Sequence, residues 1–147
     1  MLYGNSPLRL SQLEKYIARN DKDYKFVVSL DKQGKKSTIG FAHFYYNFDN
    51  KYTYVGGIHP DFFNRGLGTL ASVAALSLFY DINEQVSVDT AIYRHNLRSL
   101  RLNLALGFNI IKETEDMYML VLKKEKFNNH FVKNIRKRLY YQLVNTK

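Results

Sequence analysis

Tyr54-Val55-Gly56-Gly57-Ile58-His59-Pro60-Asp61-Phe62-Phe63-Asn64-Arg65-Gly66-Leu67-Gly68-Thr69 is the stretch on which the reading of this chain turns. Its aromatic and β-branched start predicts a strand that ends at Gly56-Gly57-Ile58-His59-Pro60. A turn follows, and Asn64-Arg65-Gly66-Leu67-Gly68-Thr69 opens a mostly apolar helical segment. A strand, a glycine-containing loop and a helix N-terminus in that order can present several backbone N–H groups to one anion. The helix dipole adds to the attraction. The pattern alone does not name the anion.

Upstream, Ser6 to Asn20 predicts a helix, with Ser6 as N-cap and Pro7 at the first helical position. Tyr24 to Leu30, Ser37 to Phe48 and Tyr52 to Ile58 predict three strands. The polar turns Asp31 to Lys36 and Asp49-Asn50-Lys51 separate them, and turns this short favour an antiparallel meander. Two glycines near the end of the third strand weaken it and mark a bulge or a close approach by a ligand. Downstream, Leu67 to Tyr80 predicts a helix with no clearly polar face, buried on more than one side. Gln85 to Ile92 predicts an interior strand, and a long helix between two strands implies a crossover with parallel pairing.

Asn96 to Leu106 fits two patterns, because its leucines alternate as in a strand and also form a helical stripe. Helix is the better reading: Asn96 can cap its start, leucine and arginine favour helix, and Gly107 can end it. Phe108 to Glu113 and Met117 to Lys123 predict a hairpin around Thr114-Glu115-Asp116. Phe127 to Lys147 predicts a last helix, with Phe127, Phe131, Ile135, Leu139 and Leu143 recurring every four residues. Arg136, Lys137 and Arg138 interrupt that apolar path with charge.

A chain of 147 residues predicts one domain, 1–147, that includes a basic C-terminal helix at about 127–145. No cysteine is present, which excludes disulfides, cysteine catalysis and thiolate metal sites and fits a cytoplasmic protein. No stretch has the apolar length of a membrane span, and the N-terminus lacks the apolar core of a signal peptide. His43, His59, His95 and His130 have no metal-ligand spacing, and no nucleotide-binding Gly-x-x-x-x-Gly-Lys-Ser/Thr loop occurs. The formal charge of +9 is uneven. Residues 1 to 120 hold fourteen basic and twelve acidic residues, whereas 121 to 147 hold eight basic and one acidic. That tail suits RNA, a membrane surface or an acidic protein; covering the sheet and forming a homodimer contact are its other uses.

Two segments resemble the GNAT superfamily of acyl-CoA-dependent N-acetyltransferases. Gly57 to Gly68 resembles the family's pyrophosphate-binding segment, whose pattern is Arg/Gln-x-x-Gly-x-Gly/Ala. Asn96-Leu97-Arg98-Ser99, followed by Leu106-Gly107-Phe108, resembles its second cofactor-binding segment and the usual Leu-Gly-Phe end. Gly66 and Gly68 match the two small positions, while Phe63 stands where the family carries Arg or Gln. The resemblance implies an α/β (α+β) fold: a mixed, mainly antiparallel central sheet flanked by helices, with a splayed cofactor cleft. It implies acetyl-CoA as cosubstrate and direct transfer to a primary amine of a small molecule or a protein. A noncatalytic GNAT-fold adaptor, binding RNA or an acidic protein through the basic segment, is the alternative.

The same resemblance distributes the roles. Loop amides from Asn64, Arg65, Gly66, Leu67, Gly68 and Thr69 are expected on the pyrophosphate, with Arg65 adding charge if it points inward. Val55, Gly56, Gly57 and Ile58 are expected along the pantetheine arm, where the strand splays from Gln85 to Ile92. An N–H near Val55 or Gly56 would meet the developing oxyanion. Asn96 and Ser99 are expected to position the cofactor, although N-capping also explains Asn96. Many members use a tyrosine acid seven residues after the Asn96 position, and here that residue is Asn103, an amide. Tyr93 is then one candidate acid. Asp89, His43 and His59 are candidate bases, each with a simpler alternative: a solvated strand face, a packed histidine and a turn.

Overall fold

The computed structural model describes residues 22–47, 51–83 and 86–145. The predicted helix Ser6 to Asn20 and most of the turn Asp49-Asn50-Lys51 lie outside the described residues. Strands β1 (Tyr24–Lys32), β2 (Lys35–Tyr46) and β3 (Lys51–Ile58) form the expected antiparallel meander. Helix α1 (Leu67–Ile82) crosses to β4 (Ser87–Tyr93), and α2 (Leu97–Leu106) leads to the hairpin of β5 (Asn109–Glu113) and β6 (Met117–Leu122). The six strands lie in the order β1-β2-β3-β4-β6-β5, and β3 with β4 is the parallel pair. This is the mixed, mostly antiparallel sheet flanked by helices that the sequence led us to expect.

The period-2 alternation of β2 and β3 sets one sheet face against α1. Ala42, Phe44, Tyr52 and Tyr54 meet Val73, Leu76, Phe79 and Tyr80 there, all buried. Phe44 and Phe79 stack with ring centroids 4.3 Å apart, and Tyr54 adds a third ring 5.1 Å from Phe44. Full burial of each phenylalanine contributes about 1.5–3 kcal/mol. The Tyr80 hydroxyl donates to Leu122 O at 3.2 Å, and burial pushes this phenol's pKa upward. Leu106, Phe108, Phe127, Val132 and Ile135 extend the same core toward the C-terminus. As its composition suggested, α1 packs on the sheet and on a second helix, yet Leu78 and Ile82 face outward.

The tail departs from its pattern. One helix from Phe127 was expected, but the chain forms α3 (Lys124–Phe127), breaks at Asn128-Asn129 and restarts as α4 (His130–Asn145). Asn129 explains the break. Its Oδ1 accepts the Val132 N–H at 2.9 Å, while its Nδ2 donates to Ala105 O and Lys126 O. A side-chain acceptor of this kind makes a favourable N-cap. After the restart Val132 joins Ile135 and Leu139 of the expected stripe against the core, while Phe131 is left exposed. Arg136 is packed rather than an interruption: its Nε donates to Ser77 Oγ at 3.0 Å, and its guanidinium covers the Phe127 ring at 4.9 Å. Lys133, Lys137 and Arg138 carry the outward charge. Among the described residues no helix is long and apolar enough to cross a membrane.

Candidate active site

The site begins where the sheet comes apart. β3 and β4 pair only from Lys51 with Ser87 to Thr53 with Asp89, and beyond that point the ladder stops. The last tie is Thr90 Oγ1, which donates to Tyr54 O at 2.9 Å. The Tyr54 carbonyl therefore points toward β4. Along an extended strand successive residues turn their backbone groups to opposite edges, so Gly56 turns its amide and carbonyl into the gap. Val55 and Gly57 turn theirs toward β2, in phase with His59, whose N–H donates to Ile39 O at 2.6 Å. Of the two amides singled out for an oxyanion, only that of Gly56 faces the opening. A Cβ at Gly56 would lie 2.9 Å from the Tyr54 hydroxyl and 3.0 Å from Phe41 O, so a side chain there would press into the wall. That hydroxyl is 3.2 Å from Ser72 Oγ, and burial pushes the Tyr54 pKa upward.

Beyond the gap the chain makes a short 3-10 turn, Pro60–Phe62. The His59 ring accepts the Asp61 N–H at 3.2 Å through Nδ1, so this histidine caps the turn. Asn64 and Gly66 both have left-handed backbones, with φ of 64° and 72°. Gly66 precedes α1 without any side-chain cap, and the first helical bond is Leu70 N–H to Gly66 O at 3.1 Å. The amides of Asn64 to Thr69 consequently have no acceptor among the described residues. Amides of this kind at a helix start are met by water or by an anion. The Arg65 guanidinium, expected to help if it pointed inward, instead lies over the Phe62 ring at 5.5 Å.

The second predicted segment does meet the first. Arg98, in the first turn of α2, donates through Nη2 to Asn64 Oδ1 and lies over the Phe63 ring at 5.1 Å. Asn96 itself is occupied: its Oδ1 accepts the Ser99 N–H at 3.2 Å, the capping role that was open for it. Ser99 in turn accepts, through O and Oγ, from Asn103 Nδ2 at 2.8 and 3.3 Å. Asn103 is buried, and its Oδ1 has no partner among the described residues.

The candidate acid–base groups separate by burial. Asp89 Oδ1 accepts from Thr53 Oγ1 at 2.6 Å, at the last paired step, and Thr53 also accepts from Asn47 Nδ2. Tyr93 is the last residue of β4 rather than a residue beyond it; it is 57% exposed and stacks on His95 at 5.7 Å. Counting four residues past the Thr53–Asp89 pair on each strand reaches Gly57 and Tyr93, which sets Tyr93 next to the Gly56 edge. His43 is fully buried on β2, its Nε2 3.2 Å from Asp23 Oδ2 and its ring against Tyr45 at 4.0 Å. The packing alternative thus describes His43. Thr53, Thr90 and Arg98 went unassigned in the sequence reading. Arg98 stands inside the second segment, and Thr90 leaves a trace as the polar residue alternating with Val88 and Ile92 on an apolar face.

Comparison with known proteins bears on this geometry. A family model described as an acetyltransferase (GNAT) domain matches residues 1–109. No curated protein matches the sequence. Spermidine N-acetyltransferase from Vibrio cholerae, solved with CoA and spermine, superposes with a TM-score of 0.67 at 18% identity, over 82% of this chain and 76% of its own. An N-acetyltransferase from Campylobacter jejuni, solved with acetyl coenzyme A, gives 0.62 at 17% identity, over 78% of each chain. The ribosomal-protein-S5-alanine acetyltransferase from Vibrio fischeri gives 0.62 at 16% identity, over 82% and 69%. At such identities these likenesses concern the fold.

Proposed function

This chain belongs to the acetyltransferase (GNAT) family, and from that premise we propose that it transfers the acetyl group of acetyl-CoA directly to a primary amine. One observation carries the proposal: the opened edge of β3 at Gly56 runs into a loop and helix start whose six amides, Asn64 to Thr69, have no acceptor among the described residues. The donor set fits a long ligand with an anionic end. The loop amides would hold the pyrophosphate, and the Gly56 edge would pair with the pantetheine arm.

Acetyl-CoA supplies the acyl thioester. The protein's part is to position the amine beside it and to stabilise charge as it develops. Gly56 N–H is the donor for the forming oxyanion. Asp89, oriented by Thr53, is the sink for the proton that the substrate ammonium loses before the free amine attacks. Gly56 lies three residues beyond Thr53, about 10 Å along the strand, so this proton travels through water. Tyr93, level with the reacting edge, is the donor to the departing thiolate. The fully buried His43 is not assigned a chemical step.

The deciding measurement combines acetyl-CoA calorimetry with acetyl transfer to a panel of small amines and amine-bearing peptides. Stoichiometric binding with turnover on one acceptor class is the expected result, and Asp89→Asn should lower that turnover about 10²–10⁴-fold, as loss of an acid–base group does, at unchanged acetyl-CoA affinity. Absence of acetyl-CoA binding would overturn the proposal.

A further inference from the structure

The loop lacks the polar residue that the family pattern places at position 63, yet a guanidinium lies over that position. Arg98 reaches it from α2, rests on the exposed Phe63 ring at 5.1 Å and donates to Asn64 Oδ1. Cation–π contact and a side-chain hydrogen bond together fix the height and direction of the guanidinium. Asn64 is held at φ 64°, and asparagine is among the few side-chain-bearing residues that tolerate that conformation. Position 63 thus supplies a platform and position 64 a tether.

What Arg98 lacks is equally informative. Arg94 approaches Glu113 at 3.8 Å and donates to Thr114 O, and Arg136 is bonded to Ser77 and Asn128. Arg98 has no carboxylate within ion-pairing distance among the described residues, and one of its donors is used. A guanidinium carries five N–H donors in a fork that matches phosphate oxygens. It is exposed, so hydration sustains it without a ligand, while the remaining donors stay available beside the amides of Asn64 to Thr69, which have no acceptor among the described residues. Arg65, nearer in sequence, is turned onto Phe62.

We infer that Arg98, seated on Phe63 and tethered by Asn64, is the charged phosphate ligand of this site, reaching the loop from α2 instead of from position 63. The inference rests on the acetyl-CoA reading above and adds to it the residue that supplies the charge. It also gives the bridge between the two segments a purpose: phosphate binding clamps the start of α2 to the start of α1.

The test is calorimetry of two probes, acetyl-CoA and S-acetylpantetheine, which shares the thioester arm but carries no phosphate. Arg98→Gln should weaken acetyl-CoA about 10- to 100-fold, the loss expected for charge-assisted phosphate bonds, and leave S-acetylpantetheine unchanged. Moving the charge, in the double variant Phe63→Arg with Arg98→Gln, should recover most of the acetyl-CoA affinity. Wild-type acetyl-CoA affinity in Arg98→Gln would overturn the inference, and so would an equal loss for both probes, since that marks a structural role. Failure of the wild-type protein to bind acetyl-CoA would remove the functional reading as well. Loss of binding in a loop variant such as Gly68→Asp, with Arg98→Gln unaffected, would remove the Arg98 inference alone.

Discussion

Helices α1 and α2 both start at the edge of the same opening, and they start in opposite ways. α2 satisfies itself: the Asn96 side chain accepts from Ser99, and Asn103 folds back onto Ser99. α1 does not: Gly66 has no side chain to offer, and the amides behind and ahead of it find no acceptor among the described residues. A helix start left bare retains its positive end for something external, whereas a capped one has spent its first donors on itself. The difference assigns the two glycine- and asparagine-marked segments to different jobs. On the proposed reading the first binds the phosphates, and the second holds Arg98 against the first.

That contrast can be broken most severely at α1. Gly68→Asp places a carboxylate in the first turn, where the nearest neighbour of the new Cβ, Ile58 Cγ1, is 3.9 Å away. An acid there favours the helix and opposes a phosphate, so fold and binding should move apart. Acetyl-CoA affinity should fall about 100-fold with no drop in melting temperature, the sum of a lost attraction and a new repulsion at short range. Equal affinity in the variant would show that the bare start is not the anion site.

A smaller effect is expected at the tie between the strands. Thr90→Val removes the donor to Tyr54 O and leaves that carbonyl without it in a buried setting. Denaturant unfolding should show a loss of about 1–3 kcal/mol. A neutral result would mean that the ladder does not need this last bond to stop where it does.

The least effect on the ligand, and a modest one on the fold, belongs to α2. Asn96→Ala should cost about 1 kcal/mol of stability, as an N-cap loss does, with acetyl-CoA affinity kept within about twofold. A large affinity loss at unchanged stability would reverse the assignment and make Asn96 a direct cofactor ligand.

Much of the arrangement was legible because local rules carried it. Strand periodicity located β1 to β3, and Asn96 with Gly107 identified α2 despite its alternating leucines. Gly66 and Gly68 located the loop. The tail misled at Asn129 and Phe131: the four-residue apolar repeat ran across Asn129, whose side chain caps a second helix that turns Val132 inward in place of Phe131. Arg136 looked like a charged interruption because its partners, Ser77 and Phe127, are a helix and a turn away. Arg65 and Arg98 looked alike in sequence, one inside each motif, and only one of them faces its partner motif.

The sequence by itself therefore determined the order of elements from β1 to β6, the loop that could receive an anion and the absence of a polar residue at position 63. These depend on periodicity, on backbone freedom and on side-chain identity, all of which are written along the chain. Tertiary structure alone decided where β3 leaves β4, which amide faces the gap, that His43 is sealed beside Asp23, and that Arg98 comes to rest on Phe63. Each of these joins residues distant in sequence, and the crossing of α1 and the packing of α2 set their separation, not any local preference.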